Sequence, residues 1–163
     1  MHTAILGLGS NQGNPKENLD RALEALTTLG TVQETAPYIL SKPEGYDAQP
    51  DFVNTVVVLQ TELPPADLLL KLQTLEKELG RVKTFPNGPR IIDLDVLFYD
   101  EQEIFDTDVM LFVPHPRLHQ REFVLKPLSY IRPDWVHPTF KKTITQLYRE
   151  LMRNKGEPTC KIL

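Results

Sequence analysis

The chain contains a single cysteine, Cys160, so no disulfide can close within it. That excludes a disulfide scaffold and favours a reducing, cytoplasmic setting. Long apolar runs are missing as well, and none approaches the roughly 18 residues that suggest a membrane span. The opening MHTAILGLGSNQG lacks a basic leader region and turns polar early, so no secretory signal is expected. Basic charge is in deficit: 18 Lys and Arg against 22 Asp and Glu give a net charge of -4. That balance argues against a duplex nucleic-acid partner, although phosphates could still bind where basic residues are concentrated. No G-x-x-x-x-G-K-[ST] occurs, which excludes a P-loop. Internal repeats, low-complexity tracts and linkers are absent too, so residues 1–163 read as one domain.

Other features are plentiful. With 40% hydrophobic and 25% charged residues, the composition suits a soluble globular fold. Fourteen prolines predict several long, stiffened loops. Residues 3–9 (TAILGLG) read as a buried strand closed by a turn. Asn14-Pro15-Lys16-Glu17 opens a helix whose Leu19, Ala22, Leu23, Leu26 and Leu29 form one stripe, with Gly30 ending it. A second strand is expected over 31–40, a loop over 41–51, and a central β-branched strand over 52–61. Pro64-Pro65 start a second helix with Leu68, Leu72, Leu75 and Leu79 inward, stopped by Gly80. Residues 91–99 (IIDLDVLFY) form a further strand, and helices are expected near 122–131 and 143–154. The order βαββαβ predicts an α+β, ferredoxin-like antiparallel sheet. Its two helices would pack on one face, with extra C-terminal helices following, and the other face would be free for loops and a site.

The chemistry concentrates in GRVKTFPNGPRIIDLD, residues 80–95. Asp93 and Asp95 lie two apart on a strand and so share a face, roughly 6.5–7 Å apart. Alone, such a pair is most often two aspartates on a wet edge. Here Arg81, Lys83 and Arg90 stand just upstream, in or beside a loop holding Pro86, Gly88 and Pro89. Acids that can hold Mg²⁺, beside arginines that can stabilise transferring phosphate, make the combination phosphoryl transfer needs. Gly7-Leu8-Gly9-Ser10-Asn11-Gln12-Gly13 does not fit a dinucleotide motif, because its third glycine comes one residue late. His115 and His119 have zinc-like spacing, but Pro116 and the lack of H-E-x-x-H argue against it. Phe52 and Phe123 could be core or could sandwich a planar ring, and the residues alone leave both open.

GPRIIDLDVL, together with ILGLGSNQGN, QPDFVN, LEKELGRV and VPHPRLHQREFVLKPL, closely resembles the 6-hydroxymethyl-7,8-dihydropterin pyrophosphokinase family. The blocks occur in the family's order from residue 4 to about residue 138. The resemblance implies a ferredoxin-like core with three flexible loops. The implied reaction transfers pyrophosphate from ATP to the pterin's hydroxymethyl oxygen, releasing AMP, in folate synthesis. It implies that Asp93 and Asp95 hold two Mg²⁺ ions and that Arg81 and Arg90 act on the phosphates. Gln73, Glu76, Lys83, His115 and Arg121 would contact ATP. Phe52 and Phe123 would sandwich the pterin, with Asn54, Ser41, Pro43 and Glu44 at its polar edge.

The chain departs from the family in three places. Pro86 and Asn87 stand where relatives often carry a basic residue and a tryptophan. Lys83 replaces an arginine, and Phe52 replaces a common tyrosine. Phe85 is then the only bulky apolar side chain left to anchor that loop on closing. A monomer binding ATP and a small pterin, with no nucleic-acid or membrane partner, is expected. Two rival readings remain for the residues alone: a Mg²⁺-dependent phosphohydrolase, and a non-catalytic ferredoxin-like binding module.

Overall fold

A computed structural model describes residues 1–82 and 84–163, so the predicted ATP contact Lys83 lies outside the described residues. The first strand, β1 (His2–Ser10), leads into helix α1 (Pro15–Leu26). Asn14 caps that helix by accepting a hydrogen bond from the Glu17 N–H at 3.3 Å, and Pro15 occupies its first turn. The helix ends at Leu26, three residues earlier than the apolar stripe suggests. Thr27 and Thr28 turn their hydroxyls back onto the carbonyls of Glu24 and Ala25 and close the last turn.

The expected strand over 31–40 is broken. It forms β2 (Thr31–Thr35) and β3 (Ile39–Ser41), both antiparallel to β4 (Phe52–Thr61). Pro37 lies in the gap and has no N–H to offer a ladder. Helix α2 (Pro65–Glu78) follows, then β5 (Asp93–Tyr99), which starts two residues later than its apolar run. Hairpin strands β6 (Ile104–Asp106) and β7 (Leu111–Val113) were not expected, nor was β8 (Lys161–Ile162) at the last residues. Helices α3 (Glu122–Ile131) and α4 (Ile144–Lys155) match their sequence signals, and Thr143 and Gln146 form a capping box on α4.

The main sheet runs β5-β1-β4-β3-β8, with β2 also on β4. This antiparallel α+β arrangement is the ferredoxin-like one expected. Alternation along the strands divides the core between two faces. Ala4, Leu6, Leu8, Val53, Val57, Leu59, Leu94 and Val96 meet Leu19, Ala22 and Leu26 of α1 and Leu68, Leu72 and Leu75 of α2. On the opposite face, Ile5, Val56, Val58, Leu97 and Phe98 meet Val124, Leu125 and Leu128 of α3 and Ile144 and Leu147 of α4. That second face is therefore not left wholly free, as the sequence suggested. The two later helices cover one end of it, because the sheet offers buried aliphatics there. Towards the other end the same face carries Gly7, Gly9, Phe52, Asn54, Asp93 and Asp95, which line a cavity.

Candidate active site

The cavity, about 280 Å³, opens between that sheet face, the start of α3 and the two loops over 41–51 and 84–90. The register of three neighbouring strands builds its floor. Gly9 is paired with both Asn54 on β4 and Asp93 on β5, and Gly7 with Val56 and Asp95. A side chain on β1 would fill the space: a Cβ on Gly9 would stand 2.7 Å from the Asn54 Oδ1. The glycines thus serve as a cleared strand rather than a phosphate loop. Their alternation with buried Leu6 and Leu8 is the sequence signal that could have found this.

Asp93 and Asp95 share the strand face, as predicted, and both line the cavity. Burial and then the neighbouring Asp93 push the Asp95 carboxyl up to about 7. Arg81 donates to Asp93 Oδ1 and to Glu76 Oε2, both at 2.7 Å. Burial works against its charge, but the two carboxylates raise its pKa above the usual arginine value. Glu76 was expected near the nucleotide, and the structure places it behind the cavity wall. It is nearly fully buried and absent from the cavity wall. Its carboxylate accepts from the Leu94 N–H at 2.8 Å, locking Arg81 to β5. Burial raises its pKa. Gln73, on α2, is exposed and lies outside the cavity wall.

Cations and aromatic rings are layered on the wall. The Arg90 guanidinium lies 4.9 Å from the Phe52 ring centroid, and that of Arg121 lies 5.3 Å from Phe123. Arg90 Nε is buried, with no hydrogen-bond partner among the described residues. It stands 3.7 Å from Asp93 Oδ2, too far for a hydrogen bond. Arg121 Nε donates to Glu44 Oε1 at 3.1 Å across the cavity mouth. His115 is held as a neutral ring: burial first, then Arg121 and Arg117, lower its pKa to about 4. Its Nδ1 accepts from the Arg117 N–H at 3.1 Å, which leaves Nε2–H as its donor. Asn54 donates its amide to the Ser41 hydroxyl, joining β4 to β3 at the cavity edge. Ser41, Glu44, Phe52 and Phe123 all line the cavity; Pro43 does not, although its neighbours Lys42 and Glu44 do.

Sequence reasoning missed Asn11. Its Oδ1 accepts from the Arg90 N–H at 2.8 Å, and its Nδ2 donates to Gln49 Oε1 and the Pro50 carbonyl. Gln49 in turn donates to the carbonyls of Tyr46 and Asn87, both at 2.7 Å. One amide pair therefore fastens the bases of two loops. Gly45, with a φ of +80°, turns beneath the Asn87 side chain, where a Cβ would meet Nδ2 at 2.7 Å. Phe85 is 51% exposed and packs edge-on against Tyr46 with centroids 4.9 Å apart. It is thus a loop aromatic rather than a core one.

This arrangement of paired carboxylates, converging guanidinium groups and two aromatic rings around one cavity suits a phosphoryl-transfer enzyme. The profile of the family described as 7,8-dihydro-6-hydroxymethylpterin-pyrophosphokinase matches residues 5–133. A 2-amino-4-hydroxy-6-hydroxymethyldihydropteridine pyrophosphokinase from Aquifex aeolicus is 38% identical over 163 residues, covering 100% of this chain and 99% of that protein. The folic acid synthesis protein fol1 of Pneumocystis carinii is 41% identical over 159 residues, covering 97% of this chain but only 21% of that longer protein. In three dimensions, the crystal structure of a Plasmodium falciparum HPPK-DHPS triple mutant is similar, with a TM-score of 0.80 at 17% identity. That match covers 96% of this chain and 44% of the other, and it bears on the fold. The chain belongs to the 7,8-dihydro-6-hydroxymethylpterin-pyrophosphokinase family.

Proposed function

We infer that this chain transfers the pyrophosphate of ATP to the hydroxymethyl oxygen of 6-hydroxymethyl-7,8-dihydropterin, releasing AMP, as a step of folate synthesis. The observation that carries the reading is the coincidence, in one cavity, of the Asp93–Asp95 pair with Phe52 and Phe123. A phosphohydrolase using the same Asp pair would not require two aromatic rings beside it, and a non-catalytic module would not require the acid pair and cations in one cavity. The pterin lies against Phe52 and Phe123, with Asn54 and the 41–44 segment at its polar edge. Asn54 and Ser41 already hold each other, so their remaining lone pairs and donors are oriented before ligand arrives. The triphosphate runs along Arg90, Arg121 and His115. Arg90 Nε has no acceptor among the described residues, and His115 supplies a proton donor without charge. Arg81, held in place by Glu76, adds a further cation beside Asp93.

The donor set fits divalent magnesium. Both carboxylates present hard oxygens, and among the described residues no group of three or more His, Cys, Asp or Glu could by itself hold a metal. Mg²⁺ commonly takes one or two carboxylates and completes its shell with water and phosphate. Asp93 and Asp95 would hold two ions, which supply charge neutralisation to the phosphates and lower the pKa of the attacking hydroxyl. The protein's own part is positioning: Arg81 orients Asp93, and the loops exclude water. We further propose that residues 1–163 act as one catalytic domain, as a monomer in the cytoplasm, with no nucleic-acid partner. No helix among the described residues is long and apolar enough to cross a membrane.

Calorimetric titration tests the site. A non-hydrolysable ATP analogue with Mg²⁺ should bind, and the pterin should then bind to that complex. Phe123→Ala should weaken only the second event. Nucleotide binding without any pterin binding would favour the phosphohydrolase, and no Mg²⁺-nucleotide binding at millimolar concentration would favour the non-catalytic module.

A further inference from the structure

Glu122 is the first residue of α3, between Arg121 and Phe123, and it is only 3% exposed. Its neighbours line the cavity, but its own carboxylate does not. It is aimed instead at the last segment of the chain. Glu122 accepts hydrogen bonds from the Thr159 N–H at 3.0 Å, the Thr159 hydroxyl at 3.2 Å and the Cys160 N–H at 3.0 Å. Lys155 Nζ lies 2.9 Å from the same carboxylate. One turn along α3, Lys126 donates to the Cys160 carbonyl at 2.9 Å. A buried carboxylate this fully partnered fixes the segment that supplies its donors.

The segment then continues onto the other wall of the cavity. Lys161 and Ile162 form β8 against β3, with Leu40 paired to Lys161 and Ile39 to Ile162. The Leu163 N–H donates to the Tyr38 carbonyl at 3.0 Å. β3 ends in Ser41, which bonds Asn54 and lines the cavity. Residues 159–163 therefore bridge the start of α3, which carries Arg121 and Phe123, to the strand that carries Ser41. Without that bridge β3 would be an edge strand bonded only to β4.

We propose that Glu122 is a positioning residue: by latching residues 159–163 to α3 it sets the distance between the Phe123 wall and the Ser41 wall of the pterin-binding cavity. The proposal rests on the reading of that cavity given above. It assigns the tail a role in pterin affinity above all, because both walls it joins, at Phe123 and at Ser41, are placed at the pterin, whereas of the triphosphate contacts only Arg121 adjoins the latch and Arg90 and His115 do not touch it.

The test uses steady-state kinetics on the full chain with Mg²⁺-ATP and 6-hydroxymethyl-7,8-dihydropterin. Glu122→Ala should raise the KM for pterin about tenfold while the KM for ATP stays within about threefold. Glu122→Gln keeps an acceptor for the two backbone N–H groups and should return part of the loss. Lys126→Met, a milder change that leaves the buried carboxylate in place, should raise the pterin KM a few-fold and covers the case in which Glu122→Ala does not fold. Phe123→Ala is run beside them. If it raises the pterin KM and neither Glu122→Ala nor Lys126→Met does, the latch is wrong and the cavity reading stands. Equal rises in both KM values also overturn the latch. An unchanged pterin KM in Phe123→Ala overturns the cavity reading and the latch with it.

Discussion

At Asp95, burial and the charge of Asp93 act in the same direction, and the carboxyl is raised to about 7. The sign of the pH effect follows. The folded state binds this proton more tightly than the unfolded chain does, so metal-free protein loses stability as pH rises from about 4 to about 7. Asp95→Asn should therefore raise the thermal midpoint at pH 8 in chelator, by about 1–2 kcal/mol or several degrees after allowing for screening and coupling to Asp93. The gain should shrink as pH approaches 4, and a gain that is constant across pH would contradict the titration argument. The same logic predicts that Asp95→Ala loses several orders of magnitude of turnover while circular dichroism remains native. Near-normal turnover would remove Asp95 from the metal site. Two residues show what spacing can and cannot reveal. The i, i+2 pattern of Asp93 and Asp95 was legible because strand alternation is local. The inward turn of Glu76 was not, since it depends on the Leu94 N–H, 18 residues away, arriving beside it.

Among the elements, the loop over 84–90 and the loop over 41–51 share an anchor at Asn11 and Gln49. Phe85 meets Tyr46 between them. Phe85→Ala should slow pyrophosphoryl transfer in single-turnover kinetics and leave Mg²⁺-ATP affinity within a few-fold, because contacts between closing loops count most in the closed state. Asn87→Trp in that background should recover part of the rate. An unchanged single-turnover rate in Phe85→Ala would leave closure to Lys83 and Arg90. The latch has its own pH signature. Burial raises the Glu122 pKa, but the donors from Thr159, Lys155 and Cys160 outweigh burial and bring it down to about 2. Its stabilisation is complete above the unfolded value near 4.5 and is lost as pH falls towards 2. Glu122→Gln should cost about 2–3 kcal/mol at neutral pH by urea unfolding and should flatten the wild-type decline in that acid window. A parallel decline in the variant would place the acid sensitivity elsewhere. The helices were legible at this scale because their caps and 3.6-residue stripes are local. The strands β6, β7 and β8 were not: three residues or fewer give no period, and β8 exists only because β3 offers it a free edge.

For the whole molecule, the second face of the sheet divides into a covered end and an open end. Ile5, Val56, Val58 and Phe98 carry α3 and α4, whereas the glycines, Asn54 and the aspartates carry the cavity. The sequence located the chemistry on that face but not the division, since which strand residues stand opposite each other is a matter of register. Gly9 became meaningful only when it stood between Asn54 and Asp93. The central claim is that the cavity directs attack at the β-phosphorus of ATP by the pterin hydroxyl. It is tested by incubating the protein with Mg²⁺-ATP and 6-hydroxymethyl-7,8-dihydropterin and resolving the nucleotides by chromatography. AMP formed in step with pterin diphosphate, and only when pterin is present, is the predicted result. Stoichiometric ADP, or nucleotide turnover that proceeds equally well without pterin, would contradict it.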